Sequence, residues 1–473
     1  FLKFLHSMTN KDGTPKSSFK TGSQGSIHLS LLADSIDSNI VYVGGDRQPE
    51  IGGLLQNTTW SGRLFRGDRS KDTLPNYESE VNNYSLQWSH ITNTNSISDS
   101  QYGGLIYGGT SNNSCPHADS RSMSIDANGR LVEVDDGGIY RLSAPKNKNG
   151  IWESLIGNLC VFEVHNLAYD EINNIVLVGS QDNGSIVCKD SQSRNIFGGD
   201  GGDVQCGVTS YNKSIYYVSS QSGGGFTKKI VSNVDNLNTH NFNEISLSVS
   251  SVLNGGMHFV PKLAICEYNP FRICGACVSD SNNGIYIHNS IANNDVEILN
   301  FMNANNIRKI LYGHPSNNDA VFAIQRSSYE IDSKLGIYYD DNNTLDYNLS
   351  EGNPLSLAVN SSNINQIFVV VGDIYDVSIP SNDNKLLILN IDGQNVTEIN
   401  VNIPYPGAKT CIYANNKVYI GHNKGVNVYN LDTELWEDLY NNTLPNCIVY
   451  DMIYKSNKIF VATLGRGVWS IQI

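Results

Sequence analysis

Short apolar runs, each ended by a polar or glycine-containing turn, recur along the whole chain. In each copy one apolar strand is followed by a turn and by a second strand that reads roughly Gly-Ile-Tyr, as in Leu131 to Asp136 with Gly138 to Arg141. Apolar runs of this length between turns are typical of buried strands. The first strands of the nine copies begin at Ile40, Leu131, Ile175, Ile215, Ile273, Val321, Ile367, Val418 and Ile459.

Most successive copies lie roughly 40 to 58 residues apart, a spacing typical of four-stranded propeller blades. A further strand precedes each copy, and another follows each copy except the last, which ends at Ile473. Phe1 to His6 form a strand-like segment that belongs to no copy. Because a closed ring leaves no exposed sheet edge, we expect this N-terminal strand to complete the last blade.

The sequence therefore predicts an all-β chain, folded as a single large β-propeller domain over residues 1–473 with about nine four-stranded blades. The interval between the first two copies is longer than the others, and residues 49–116 within it are rich in glycine, serine and asparagine. We expect long loops there, inserted in and after the first blade. A degenerate blade in this interval would change the count, so eight or ten blades remain open.

Charge and hydropathy exclude two classes of partner. The chain of 473 residues has a formal net charge of -14, which repels nucleic-acid phosphates and anionic lipid surfaces. No apolar run approaches the roughly 20 residues that a membrane-spanning helix needs. We therefore expect no nucleic-acid partner and no membrane insertion.

The cysteines and the glycosylation motifs point to different compartments. Nine cysteines are an odd number, so at least one thiol is unpaired within the chain, which allows assembly in a reducing compartment. Ten Asn-x-Ser/Thr sequons favour an extracellular or surface location. Cys274 and Cys277 have the spacing of half a zinc knuckle. They lie in a strand-like run, where residues three apart point to opposite faces, so we expect buried thiols.

Antiparallel strand order places the unusual loops on one face of the predicted propeller. With the strands of a blade named a to d outward from the axis, the b–c loops and the d–a loops share a face. Three b–c loops and two d–a loops on this face carry polar or charged motifs: Gly45 to Gln48, Asp135 to Gly138, Ser180 to Gly184, Pro116 to Arg121 and Gly198 to Asp203.

These loops contain the candidate site residues. Glycoside hydrolysis needs two carboxyl groups across a cleft, and Asp119 with Asp200 is the preferred pair because d–a loops reach nearest to the axis. The alternative is structural, since an aspartate in a turn accepts backbone N–H groups; this applies to Asp136, Asp182 and Asp200. The candidate ligand-binding residues are Asp46, Arg47, His117, Arg121, Asp136, Asp182 and Asp203.

The ordered motifs resemble those of sortilin-like and BNR (Asp-box) repeat propellers. The motifs are His117-x-Asp119, Asp136 to Arg141, Gln181 to Gly184, Gly198 to Gly202 and Gly465 to Trp469. The group includes xyloglucanase-type glycoside hydrolases, so the resemblance implies a propeller and leaves both catalytic and binding roles open. The strict Asp-box, Ser-x-Asp-x-Gly-x-Thr-Trp, is absent from the sequence.

We expect a non-catalytic binding or structural propeller that presents an acidic face to a glycan or a protein, for surface adhesion or assembly. The alternative is a glycoside hydrolase that uses paired aspartates on the same face. A sialidase would need an arginine clamp, for which Arg47, Arg121 and Arg141 are the candidates. No metal ligands and no cofactor are assigned, apart from a Ca²⁺ site that Asp200 and Asp203 could form with carbonyl oxygens.

Overall fold

The computed structural model describes residues 27–47, 62–71, 88–93, 96–99, 104–107, 109–157, 161–247, 257–279, 282–291, 296–299, 301–302, 306–326, 332–350, 352–372, 384–439 and 444–473. These residues are almost entirely β-strand and turn. The one helical element among them is a 3-10 turn, Gln221–Gly223. No described helix has the length and apolar character to cross a membrane.

Contacts divide the chain into two compact units, Phe1–Leu159 and Cys160–Ile473. In the described part of the first unit there are two four-stranded antiparallel sheets and a two-stranded hairpin. Sheet 1 consists of β1 (Ser30–Ala33), β2 (Ile40–Arg47), β3 (Gly62–Asp68) and β4 (Trp88–His90). The hairpin pairs β5 (Ser96–Asp99) with β6 (Gly104–Tyr107). Sheet 2 consists of β7 (Ser122–Ile125), β8 (Leu131–Asp135), β9 (Gly138–Leu142) and β10 (Trp152–Ser154).

The described residues of the second unit form seven antiparallel sheets, numbered 3 to 9 in chain order, and within each sheet sequence neighbours pair. Sheet 3 consists of β11 (Val164–Asp170), β12 (Ile175–Ser180), β13 (Gly184–Lys189) and β14 (Gln192–Phe197). Sheet 4 consists of β15 (Gln205–Val208), β16 (Ser214–Val218), β17 (Thr227–Val231) and β18 (Glu244–Ser246). Sheet 5 consists of β19 (Leu263–Ile265), β20 (Arg272–Ser279), β21 (Asn282–Asn289) and β22 (Val296–Leu299).

Sheets 6 to 9 continue the same order. Sheet 6 consists of β23 (Ile307–His314), β24 (Asn317–Gln325), β25 (Lys334–Asp340) and β26 (Asn343–Asn348), and sheet 7 of β27 (Asn353–Asn360), β28 (Asn363–Gly372), β29 (Lys385–Asp392) and β30 (Asn395–Asn402). Sheet 8 consists of β31 (Thr410–Ala414), β32 (Lys417–His422), β33 (Gly425–Asn430) and β34 (Leu435–Asp438). Sheet 9 has the three strands β35 (Val449–Lys455), β36 (Lys458–Thr463) and β37 (Gly467–Gln472).

The second strands of these sheets are apolar on both faces because each sheet lies between two others. In β28, Ile367 to Val371 are all buried, and they divide between two different hydrophobic clusters. Cys274 and Cys277 of β20 likewise pack into separate clusters on the two sides of sheet 5. This confirms that the two thiols point to opposite faces, as expected of residues three apart in a strand.

The seven sheets of the second unit form an uninterrupted circuit. Six hydrophobic clusters lie between successive sheets, from sheets 3 and 4 to sheets 8 and 9. A seventh cluster joins sheet 9 to sheet 3, with Phe460 packed among Val164, Leu167 and Val178. The first strand of each sheet contacts the first strand of the next, and β35 contacts β11. The first strands therefore lie innermost.

Nine repeats were predicted, and nine sheets of the propeller type are present in the described chain, so the all-β class and the sheet count are confirmed. The arrangement differs from the prediction. A single ring of nine would place sheet 9 against sheet 1, whereas the Phe460 face of sheet 9 packs on sheet 3. Sheet 9 has three strands, as expected, but Phe1 to His6 lie outside the described residues, so completion by this segment stays a prediction, as does a single domain over residues 1–473.

The interval 49–116 is partly described. It contains β3, β4 and the β5–β6 hairpin, and the described part of it holds no further four-stranded sheet. The aromatic residues Trp60 and Tyr102 of this interval, and the side chain of Tyr107, lie outside the described part of the structure.

Candidate functional site

In the first unit, the predicted loops meet where sheet 1 lies beside sheet 2. The backbone N–H of Ser120 donates to the carbonyl of Gly45 (3.0 Å), and the hydroxyl groups of Ser30 and Ser120 are 2.6 Å apart in a buried position. Gly44 leaves no room for a Cβ atom, which would come within 2.5 Å of both hydroxyl oxygens. These contacts hold the loop before β7 against the end of β2.

This juxtaposition brings Asp46 and Asp119 together, together with His28, a residue that the sequence analysis did not single out. His28 Nδ1 lies 3.1 Å from Asp119 Oδ1. One ligand atom from each of His28, Asp46 and Asp119 lies within 4.8 Å of the other two. An imidazole and two carboxylates at such distances are able to hold a metal ion.

Arg121 and Asp136 form a bidentate pair in the same unit. Arg121 donates from Nε to Asp136 Oδ1 (2.7 Å) and from Nη2 to Asp136 Oδ2 (2.9 Å). The turn itself is held by Asp135, whose Oδ1 accepts the backbone N–H groups of Gly137 (2.8 Å) and Gly138 (2.9 Å). The turn-forming role that the sequence suggests for Asp136 is therefore filled by its neighbour Asp135.

A pair of buried acids on β8 was missed by the sequence analysis. Glu133 and Asp135 are two residues apart, so their side chains lie on one face of the strand. Burial and the repulsion of Asp135 raise the pKa of Glu133 to about 9. Burial also raises the pKa of Asp135 to about 6. The only available signal was the polar alternation in Leu131 to Asp135.

The remaining candidates of the first unit make local contacts. His117 Nδ1 lies 3.2 Å from the carbonyl oxygen of Ala118. Arg141 lies within β9, as expected, and donates to Glu153 of the adjacent strand (2.8 Å). With Arg121 bound to Asp136, two of the three arginines considered for a sialidase clamp are engaged by carboxylates. The side chain of Arg47 lies outside the described part of the structure.

In the second unit, Asp200 and Asp182 are close, as the loop argument predicts. Asp200 Oδ1 accepts hydrogen bonds from the backbone N–H of Asp182 (3.1 Å) and from Gln181 Nε2 (2.8 Å). Gln181 Nε2 also lies 3.0 Å from Asp182 Oδ1. The carboxylate of Asp200 therefore ties the d–a loop to the b–c loop of sheet 3.

Glycines make this loop contact possible. A Cβ atom on Gly179 would lie 1.9 Å from the carbonyl oxygen of Gly202, and one on Gly201 would lie 2.2 Å from the carbonyl oxygen of Gly184. Because these neighbours are backbone atoms that cannot rotate away, the glycine-rich sequence Gly198 to Gly202 is explained by close backbone approach.

Asp203 follows this loop and contacts the innermost strand of the next sheet. Its side chain is 8% exposed, and its Oδ2 accepts the backbone N–H of Leu263 (2.9 Å). Burial raises the pKa of Asp203 to about 6, although Lys262 and Lys309 attract its charge. Among the innermost strands, Lys309 Nζ lies 3.0 Å from Asp451 Oδ1.

Polar and aromatic residues lie next to these loops. His165 Nε2 lies 3.0 Å from Gln181 Oε1, and its ring is edge-on to Tyr450 at 6.0 Å. Burial lowers the pKa of His165. On the other side, Gln221 Oε1 accepts the N–H of Asp200 (3.1 Å), and the N–H of Ser222 donates to the carbonyl of Phe259 (2.8 Å).

We name this set the loop face. Its members all belong to the second unit and are His165, Gln181, Asp182, Asp200, Gln221, Phe259 and Tyr450. Phe259 is linked to the others through the backbone of Ser222, the neighbour of Gln221. Tyr450 is 43% exposed and Phe259 is 54% exposed, so both aromatic rings are partly open to solvent. Of these seven residues, the sequence analysis named Asp182 and Asp200 as candidate site residues.

The structure thus groups the predicted residues within each unit. Asp119 belongs to the first unit and Asp200 to the second, so their use as a catalytic pair stays a prediction. The Ca²⁺ site at Asp200 and Asp203 also stays a prediction. Those two carboxylates have different surroundings, because Asp200 accepts hydrogen bonds from the loops and Asp203 is attracted by two lysines.

No family model matches the chain, and no curated protein matches it. The resemblance to sortilin-like and BNR repeat propellers therefore stays a prediction. Among solved structures, the chain is similar to selenomethionine-substituted virginiamycin B lyase from Staphylococcus aureus. The two are 8% identical, with a TM-score of 0.47, over 66% of this chain and 95% of that chain.

Proposed function

We propose that this protein is a non-catalytic binding propeller that holds a glycan at the loop face of its second unit. The observation that carries the proposal is the hydrogen bonding of Asp200, one of the two aspartates that the sequence predicts as a catalytic pair. Asp200 Oδ1 accepts two hydrogen bonds that join neighbouring loops. A carboxylate that joins two loops in this way fixes the surface that the loops form, as a binding site requires.

The composition of the loop face favours a sugar as the ligand. Partly exposed Tyr450 and Phe259 offer apolar ring surfaces for stacking. Gln181, Asp182 and Gln221 offer amide and carboxylate groups between them, and such groups bind hydroxyl groups as donors and acceptors. Rigid aromatic rings with a few polar groups fixed by neighbouring loops are typical of a ligand site.

A glycoside hydrolase is the second candidate, and Asp203 is the observation that favours it. A general acid at neutral pH needs a raised pKa, and the pKa of Asp203 is raised to about 6 by burial. The 8% exposure of Asp203 argues against direct contact with a polysaccharide. Asp119 and Asp200 remain the alternative pair that the sequence predicts.

Glycan binding is tested by a glycan array, followed by calorimetric titration with the best ligand. We expect Tyr450→Ala to weaken binding by about 1 to 3 kcal/mol, the range for losing a well-packed aromatic contact. The matched control is Tyr211→Ala. Tyr211 is 84% exposed and lies in the turn between β15 and β16, at the opposite end of the strands from the loop face.

Unchanged affinity in Tyr450→Ala, or equal losses in Tyr450→Ala and Tyr211→Ala, would remove the loop face as the binding surface. Retention of a protein partner by a chain that binds no glycan would replace the sugar with a protein ligand.

A further inference from the structure

We propose that His28, Asp46 and Asp119 of the first unit form a binding site for a divalent metal ion. Their ligand atoms, one imidazole nitrogen and two carboxylate oxygens, all lie within 4.8 Å of one another. The three residues come from separate segments, which are the residues before β1, the end of β2 and the loop before β7. One imidazole with two carboxylates suits Mn²⁺ or Zn²⁺.

The orientation of His28 is a second and independent observation. His28 is 6% exposed, and its Nδ1 lies 3.1 Å from Asp119 Oδ1. Despite this distance, Nδ1 makes no hydrogen bond of normal geometry with the described residues. Two ligands about 2.1 Å from a shared metal ion and at right angles to each other lie about 3 Å apart without pointing at each other.

A metal ion would also remove an energetic cost. A buried polar nitrogen without a hydrogen bond loses its contacts with water and gains nothing in return, and two nearby carboxylates repel each other. A divalent cation between the three side chains binds the nitrogen lone pair and offsets the repulsion of Asp46 and Asp119.

The surrounding contacts hold the ligands in place. The hydrogen bond from Ser120 to Gly45 fixes the loop of Asp119 against the strand of Asp46 (3.0 Å). Asp46 also attracts the charge of Arg63. The site lies in the first unit and does not depend on glycan binding at the loop face.

The test uses the full chain, stripped with EDTA and then titrated with MnCl₂. Mn²⁺ is the probe because the free cysteines would bind softer ions such as Zn²⁺. Loss of the electron paramagnetic resonance signal of aqueous Mn²⁺ measures binding. We expect saturation at one ion per chain, with affinity at least tenfold weaker in His28→Gln and in Asp119→Asn.

The matched control is His240→Gln, which changes a histidine of the second unit outside the loop face and should bind Mn²⁺ like the parent chain. Circular dichroism of each metal-free variant checks folding, and electron spin-echo modulation from a ligating imidazole nitrogen reports His28 directly in the parent chain. No binding by the folded parent chain, equal binding by folded His28→Gln, or bound Mn²⁺ without nitrogen modulation would overturn the proposal.

Discussion

At the scale of single residues, burial raises the pKa values of both Glu133 and Asp135. The pKa of Glu133 is raised to about 9, well above the value of an exposed glutamate. The folded chain therefore retains a proton that the unfolded chain releases above about pH 4.5. The stability that the protonated Glu133 carboxyl group contributes is complete at acidic pH, and it is lost progressively as the pH rises from about 4.5 to about 9.

We predict that Glu133→Gln stabilises the chain at alkaline pH. Glutamine keeps the shape of glutamate but cannot ionise, so the variant should gain up to about 5 kcal/mol over the parent chain at pH 8 and less than about 1 kcal/mol at pH 5. Thermal unfolding across this pH range measures the difference. Glu153→Gln is the control, because Glu153 lies on the same sheet with a half-exposed side chain. A gain that does not depend on pH would contradict the assigned proton.

The sequence identified many of the site residues but few of their partners. Asp46, Asp119, Asp182 and Asp200 stand out because polar loop motifs break an apolar pattern. His28 could not be found in this way, since it occupies an ordinary position before a strand. Its approach to Asp119 depends on a contact between residues 91 positions apart, and sequence spacing does not encode such contacts.

At the scale of strands and sheets, the apolar period predicted the elements well because each second strand is buried on both faces. The sequence Ile367 to Val371 has no alternation, and the structure places it between two clusters. The register within a sheet was also accessible, since short turns join sequence neighbours. The packing between sheets was not, because it depends on side-chain complementarity between distant segments.

We predict measurable coupling between sheets 3 and 9 of the second unit. Asn166 Nδ2 donates to Asp451 Oδ2 at 2.9 Å in a buried position. A double-mutant cycle with Asn166→Ala and Asp451→Ala, followed by urea unfolding, should give a coupling energy of about 1 to 3 kcal/mol. A cycle that pairs Asn166→Ala with Asp346→Ala is the control, since Asp346 is an exposed partner of Lys334 on sheet 6. Additive effects in the first cycle would contradict direct contact.

At the scale of the whole chain, counting repeats gave the number of sheets but not their circuit. Nine copies are visible in the sequence, and seven of the nine sheets pack in succession, with sheet 9 returning to sheet 3. The apolar pattern predicts that each copy forms a sheet packed between two others. It does not predict which sheets pack together, because that depends on contacts between distant residues, such as those of Phe460 with Val164 and Leu167.

The central claim is that the loop face binds a glycan without cleaving it. The most direct measurement incubates the intact chain with a polysaccharide that it retains and quantifies new reducing ends, with Asp203→Asn and Asp200→Asn alongside. We predict retention without reducing ends above the buffer background in all three proteins. Reducing ends released by the parent chain and abolished in either variant would contradict the claim and establish a glycoside hydrolase.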